Sequence, residues 1–281
     1  MDKKWDLKRT ITVCLGGLWL LDGILQLQPA MFTNAFVSTV LAPNLQNQPS
    51  TIESIVAFGI HLFSSNIFWW NLASALIQLL IGIILIFPFQ EKVQRFGLWL
   101  SVGWALVIWI FGEGFGNLFT GSATFYTGAP GSALLYLILA LCLIYSFHRR
   151  LPLIAGIVFI LGAILNLMPM FWQPTMLSML TMTPSISTAL GTFGSQGTMI
   201  GNLIAVDALI LLGFFLIFIA NRSVAWITIL FLLAVWGIGQ SFGGLQTFPI
   251  GTATDPNSAP LLILFLLPLF FTRSSLLFSP S

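Results

Sequence analysis

Trp109-Ile110-Phe111-Gly112-Glu113-Gly114-Phe115-Gly116-Asn117-Leu118-Phe119-Thr120 decides how this chain is read, because it returns as Trp236-Gly237-Ile238-Gly239-Gln240-Ser241-Phe242-Gly243-Gly244-Leu245-Gln246-Thr247. Trp, Gly, Phe, Gly, Leu and Thr keep their register. The match extends outward in both directions. Leu25-Gln26-Leu27-Gln28-Pro29 is answered by Leu165-Asn166-Leu167-Met168-Pro169, and Asn71-Leu72 by Asn202-Leu203. Further on, Ala129-Pro130-Gly131-Ser132-Ala133 is answered by Asp255-Pro256-Asn257-Ser258-Ala259. The offset shrinks along the chain, as it does when the second copy of a duplicated unit has shorter loops. The expected units are residues 1–149 and 150–281.

A mean hydropathy of +0.98, with 57% hydrophobic and only 6% charged residues, places the chain in a bilayer, since a soluble protein carries about a quarter charged residues. About 20 apolar residues cross a hydrocarbon core. Eight stretches qualify: 10–29, 66–88, 96–113, 132–148, 151–169, 198–220, 223–240 and 258–272. The basic start before the first of them resembles a signal peptide, but Pro29-Ala30-Met31-Phe32 is a poor cleavage site, so the helix is read as retained. Cys14 and Cys142 fall inside predicted helices as small core residues, with neither disulfide nor metal spacing.

The basic residues give an orientation. Lys3, Lys4, Lys8 and Arg9 precede the first span, Lys92 and Arg95 separate the second and third, Arg149 and Arg150 the fourth and fifth, and Arg222 the sixth and seventh; Arg273 follows the eighth. All lie on one side, while loops 30–65, 114–131, 170–197 and 241–257 hold no Lys or Arg. The positive-inside rule puts both termini in the cytoplasm. The net charge of +2 thus follows topology and implies no nucleic-acid partner. Four spans per unit return the chain to its starting side, so the units are parallel and a pseudo-two-fold along the membrane normal is expected. Residues 51–65 carry apolar positions at helical spacing, as an interfacial or re-entrant helix does.

Three carboxylates sit where charge is expensive. Counted from the nearest cytoplasmic Arg at 1.5 Å per residue, Asp22 lies roughly 20 Å in, Asp207 roughly 22 Å and Glu113 roughly 27 Å, across a core of about 30 Å. No Lys or Arg is expected at that depth. Each must be protonated, held by neutral donors, or neutralised by a cation or ligand. Gly162 stands where Asp22 would be matched and Leu76 where Asp207 would be, whereas Glu113 is matched by the isosteric Gln240. The Gly-rich helix ends around Glu113 and Gln240, framed by Trp109, Phe115, Trp236 and Phe242, are the best candidate ligand sites, against the plainer reading of tight packing and an aromatic belt. Met168, Met170, Met176, Met179 and Met182 crowd one outer segment; thioethers suit Cu(I), but Met also fills irregular apolar space. His61 and His148 fall on opposite sides of the membrane, so they cannot both ligate one haem. Phosphate-loop, nucleophile-triad and zinc signatures are absent from the sequence.

The opening Gly17-Leu18-Trp19-Leu20-Leu21-Asp22-Gly23-Ile24-Leu25-Gln26-Leu27-Gln28-Pro29, the segment Gln78-Leu79-Leu80-Ile81-Gly82-Ile83-Ile84-Leu85 and the Trp109 motif resemble an uncharacterised group of bacterial multi-pass membrane proteins, similar in turn to DoxX/DoxD-like four-helix proteins. The resemblance covers both halves and implies an all-α integral membrane fold in the bacterial cytoplasmic membrane. It also implies a place beside other subunits of a membrane redox assembly, with a quinone as the associated cofactor. It assigns no catalytic residue. The competing reading is a small-solute or proton-coupled transporter using Asp22, Asp207 and Glu113; copper handling on the outer face is the remote third.

Overall fold

The computed structural model describes residues 6–173, 176–192 and 194–271, and all regular structure among them is helical. Lys3, Lys4 and Arg273 lie outside the described residues. The principal helices are α1 (Leu7–Leu25), α2 (Ser50–Ser65), α3 (Ile67–Ile86), α4 (Glu91–Val107), α5 (Ser132–Ile144) and α6 (Leu151–Asn166). They are followed by α7 (Pro184–Gly191), α8 (Gly194–Phe218), α9 (Arg222–Ala234) and α10 (Ser258–Leu266).

Among the described residues, five helical segments are long and apolar enough to cross a membrane: Ile67–Ile86, Glu91–Gly112, His148–Asn166, Gly194–Phe218 and Arg222–Gly239. The other three expected spans are helical but fall short of that standard. Helix α1 has 19 residues, yet Lys8, Arg9 and Asp22 interrupt its apolar run. Helix α5 has 13 residues, about 20 Å at 1.5 Å each. It stops at Ile144, and Ser146 turns the chain with a φ of 59°.

Small residues set the closest helix contacts. A Cβ on Gly16 would lie 3.0 Å from the Gly82 carbonyl, and one on Gly82 would lie 2.8 Å from the Gly16 carbonyl. Helices α1 and α3 therefore cross backbone to backbone, as small residues allow in membrane bundles. Helices α6 and α8 cross alike, with 2.8 Å and 2.9 Å for Gly156 and Gly213. Just above each crossing an Asn clamps the pair: Asn71 Nδ2 donates to the Gln26 carbonyl at 2.8 Å, and Asn202 Nδ2 to the Asn166 carbonyl at 2.9 Å. At the opposite end of α1, the Arg9 guanidinium donates to the Leu85 carbonyl at 3.1 Å and to that of Ile86, satisfying carbonyls left open at the end of α3.

One apolar core takes in side chains from both halves, among them Leu15, Trp19, Leu85, Leu139, Phe159, Leu209, Leu261 and Phe265. A smaller cluster, Met31, Phe36 and Leu41 with Phe63, binds the segment before α2 onto that helix. Helix α2 is continuous over the residues expected to form it, and Gly59 lets it rest on Phe111, whose ring atoms lie 2.5 Å from where a Cβ would stand.

The loops that follow α4 and α9 are exchanged. Residues of 114–131 pack on α6, α8 and α9: Thr124 Oγ1 donates to Asn166 Oδ1 at 2.9 Å, and the Tyr126 hydroxyl donates to the Ala205 carbonyl at 2.7 Å. Residues of 241–257 pack on the first half: Gln28 Nε2 donates to the Ala253 carbonyl at 2.9 Å, and the Thr39 and Thr252 hydroxyls lie 3.3 Å apart.

Candidate functional site

Each Gly-rich motif ends a long helix in the same way. The last turn widens, so that Glu113 N–H bonds the Ile108 carbonyl at 2.9 Å and Gln240 N–H the Val235 carbonyl at 2.9 Å; such π-turns recur at functional sites. The chain then winds left-handed for four residues. Gly114, Phe115, Gly116 and Asn117 have φ of 53°, 60°, 63° and 56°, and Ser241, Phe242, Gly243 and Gly244 have 47°, 54°, 65° and 75°. This conformation costs an L-residue roughly 1–2 kcal/mol. Glycine is also required for space, because a Cβ on Gly116 would stand 1.9 Å from the Pro130 carbonyl oxygen.

The aromatic residues hold these turns. Trp109 Nε1 donates to the Pro130 carbonyl at 2.9 Å and meets Phe115 edge-on at 5.2 Å; Trp236 Nε1 donates to the Pro256 carbonyl at 2.7 Å and meets Phe242 edge-on at 5.2 Å. They line neither cavity described below.

Glu113 and Gln240 occupy like cradles with unlike results. Glu113 Oε1 accepts from the Ser132 hydroxyl at 2.6 Å and from Ala133 N–H at 3.0 Å, leaving Oε2 buried without a partner. Gln240 uses both ends of its amide, donating to Ser258 Oγ at 2.8 Å and accepting from Ala259 N–H at 3.2 Å. Glu113 is among the residues around a cavity of about 140 Å³ walled by Trp19, Phe36, Phe63, Trp104 and Phe111, while its Oε2 is turned toward Gly131. Asp22, Gln26, Gln78, Tyr136 and Asp255 also face it.

Among the residues around this cavity, Asp22 and Tyr136 hydrogen-bond each other, while Gln26 Oε1, Gln78 Oε1, Trp104 Nε1 and Glu113 Oε2 are buried without a protein partner. An unpaired buried polar group costs about 1–3 kcal/mol, and natural structures hold only a few per hundred residues. Such groups are ordinarily met by buried water or by a ligand. Asp22, Glu113 and Asp255 act on one another electrostatically, and no Lys, Arg or His among the described residues lines the cavity. Among the described residues no three His, Cys, Asp or Glu side chains converge as a metal would require.

Glu113, Asp255, Ser132 and Thr254 also line a second cavity of about 460 Å³, walled by Asn44, Asn117, Ser122, Thr127 and Asn257. These four residues separate an apolar-walled chamber from a polar vestibule. Asp255 is fixed there by the Thr254 hydroxyl at 2.8 Å and Asn257 N–H at 2.7 Å. Met179 and Met182 reach the vestibule; Met168 and Met170 do not line it.

Of the residues expected at a site, the structure brings Asp22 and Glu113 to one cavity and leaves Gln240 in a separate, fully paired niche. Asp207 is exposed midway along α8 and lines neither cavity. Sequence reasoning missed Asp255, Trp104 and Tyr136. The glutamines Gln26 and Gln78, standing in apolar helices within the motifs quoted above, were the signal available.

Compared with known proteins, the chain matches no family model, no curated protein and no solved structure.

Proposed function

We propose that this chain is an eight-span, DoxX/DoxD-like protein of the bacterial cytoplasmic membrane, built of parallel units 1–149 and 150–281 with both termini cytoplasmic. Its function in this reading is to hold a quinone-type headgroup in the outer half of the bilayer, as a non-catalytic subunit of a redox assembly. The observation that carries the reading is the mixed set of unpaired atoms on the Asp22–Glu113 cavity. Gln26 Oε1, Gln78 Oε1 and Glu113 Oε2 accept hydrogen bonds and Trp104 Nε1 donates one. A simple cation would satisfy the acceptors and leave the indole N–H stranded. A ring with a hydroxyl at each end, the reduced hydroquinone form, donates to the acceptor oxygens and accepts from the indole N–H, whereas a carbonyl serves the indole alone. Size agrees, since a dry cavity of about 150 Å³ takes up benzene.

The parallel-unit reading is supported by the paired glycine crossings, asparagine clamps, π-turns and left-handed turns. The competing carrier reading draws on the polar vestibule beside Glu113, which offers a route from the cavity toward one face. Organic extraction of protein purified in mild detergent, followed by mass spectrometry, tests the proposal. The expected result is a quinone at near-equal amount in the wild type and much less in Asp22→Leu. A wild-type protein that stays empty when quinone is supplied in excess would overturn it.

A further inference from the structure

Asp207 stands about 20 Å from one end of helix α8 and about 16 Å from the other, at 1.5 Å per residue. The fold turns its side chain outward. One helical turn to either side, Leu203, Ile204, Ile210 and Leu211 are exposed and apolar, and Ile200 and Phe214 continue the same face. Because α8 is long and apolar enough to span a membrane, this face meets hydrocarbon, with a carboxyl group at its centre. Among the described residues that carboxyl has neither a hydrogen-bond nor an ion-pair partner.

The sister helix shows that the acid is no requirement of the helix itself. In the register that pairs Asn71 with Asn202, Asp207 is answered by Leu76 of α3, which is 56% exposed, and Leu80 and Ile83 extend that exposed face with hydrocarbon side chains alone. Both halves thus present the same outward face, and only that of α8 carries a carboxyl. On a single methylene it cannot reach either interface, as the long side chains of Lys and Arg do. Ionisable groups at this depth are costly unless they pair.

We infer that this face of α8 docks a transmembrane helix of another protein, one that carries a single Lys or Arg at mid-span to pair with Asp207. Charge complementarity decides against a second copy of this chain. The described Lys and Arg residues stand in the opening turns of a helix, as Arg9, Arg95 and Arg222 do, or just before one, as Arg149 and Arg150 do. A copy therefore has no base to offer at this depth, and a two-fold axis through this face would set Asp207 against itself, like charge against like. The apolar residues above and below Asp207 supply the packing for a helix laid alongside. The ion pair, in a medium that screens little, fixes its depth. The inference rests on the chain's placement in a bilayer and is independent of what fills the cavity near Glu113, which Asp207 does not line.

The test reconstitutes the whole protein in phosphatidylcholine vesicles with synthetic polyleucine helices of about 20 residues, and follows association by energy transfer to a label on the peptide. Four peptides are compared: Lys at the centre, Glu at the centre, no charge, and Lys near one end. The centre-Lys peptide should associate at least tenfold more tightly than the uncharged one. Asp207→Leu, which installs the sister helix's residue, should abolish that preference while leaving thermal stability in detergent undiminished. Asp207→Lys should transfer the preference to the centre-Glu peptide, a reversal that no folding defect produces. No gain from the central Lys, an equal gain from Lys near the peptide's end, or a preference that persists in Asp207→Leu would each overturn the inference. So would self-association of the wild type that Asp207→Leu abolishes, which would make the face an interface between copies.

Discussion

Phe125→Ala is the most direct probe of how the two halves are held together. Phe125 is fully buried, it packs on Phe159 at 4.7 Å and on Tyr126 at 6.1 Å, and the glycine at 162 leaves its ring no alternative neighbour to close the gap. Phe→Ala at such sites costs about 3–5 kcal/mol, through lost transfer energy and the cavity left behind. Because Phe159 and Asn166 are fixed in helix α6, the site cannot collapse, and the upper part of that range is expected. Reversible unfolding in mixed micelles measures the loss. Phe119→Ala is the control: that ring is 51% exposed, and the change should stay within about 0.5 kcal/mol. Toluene, the missing side chain, should then restore part of the stability, about 1.4 kcal/mol at ten times its Kd. A loss below about 1 kcal/mol, or no response to toluene, would refute the argument that this ring fills a defined niche.

Glu113→Gln should keep the cradle, because Gln240 already shows an amide bonding the equivalent hydroxyl and N–H; stability is expected within about 1 kcal/mol while bound ligand falls, and a variant that loses only stability would mark Glu113 as structural. Glu113→Leu should cost about 1–3 kcal/mol more, since Ser132 and Ala133 lose their acceptor, which a thermal-shift comparison of the two variants reads directly. Gly116→Ala should disrupt the turn strongly, whereas Gly121→Ala, also left-handed at a φ of 74° but with nothing within 4 Å of its Cβ position, should show only the backbone cost of roughly 1–2 kcal/mol; similar losses would show that crowding against Pro130 is unimportant. Cysteines at Ser50 and at Ile250, the latter 81% exposed, should react with an impermeant thiol reagent outside the cell and one at Val93 should not, with the opposite labelling pattern ruling out the orientation.

Helix existence was legible wherever apolar runs were long, and the two motifs pointed to the helix ends where Glu113 and Gln240 sit. Span length was not equally legible. The stretch 132–148 reads as uniformly apolar, yet α5 ends at Ile144, because Tyr145, Ser146 and Phe147 form a turn that hydropathy alone does not register. The cavity was legible only in part. Asp22 and Glu113 declared themselves as charges at depth, but Asp255 reads as a loop residue until the exchanged loop carries it across to the first half. Phe125 gives no sign of its role at all, since an aromatic residue in a turn-rich loop is ordinary and its niche is built from helices later in the chain. Asp207 shows the converse limit: an acid at depth on a helix need not turn inward, because a helix presents its faces equally and only packing chooses among them.

The exchange of the loops after α4 and α9 bears on how such a chain can be taken apart. Each half wears a lid made by the other, through Thr124 and Tyr126 in one direction and Gln28 and Thr39 in the other. A break before His148 falls in the turn between α5 and the segment His148–Asn166, and fragments made together should reassemble through these crossed contacts. Made singly, each has an uncovered rim and a lid with nothing to close. The same interlock couples the two parts of the chain in mutation: a change in one lid is felt by the helices of the opposite part.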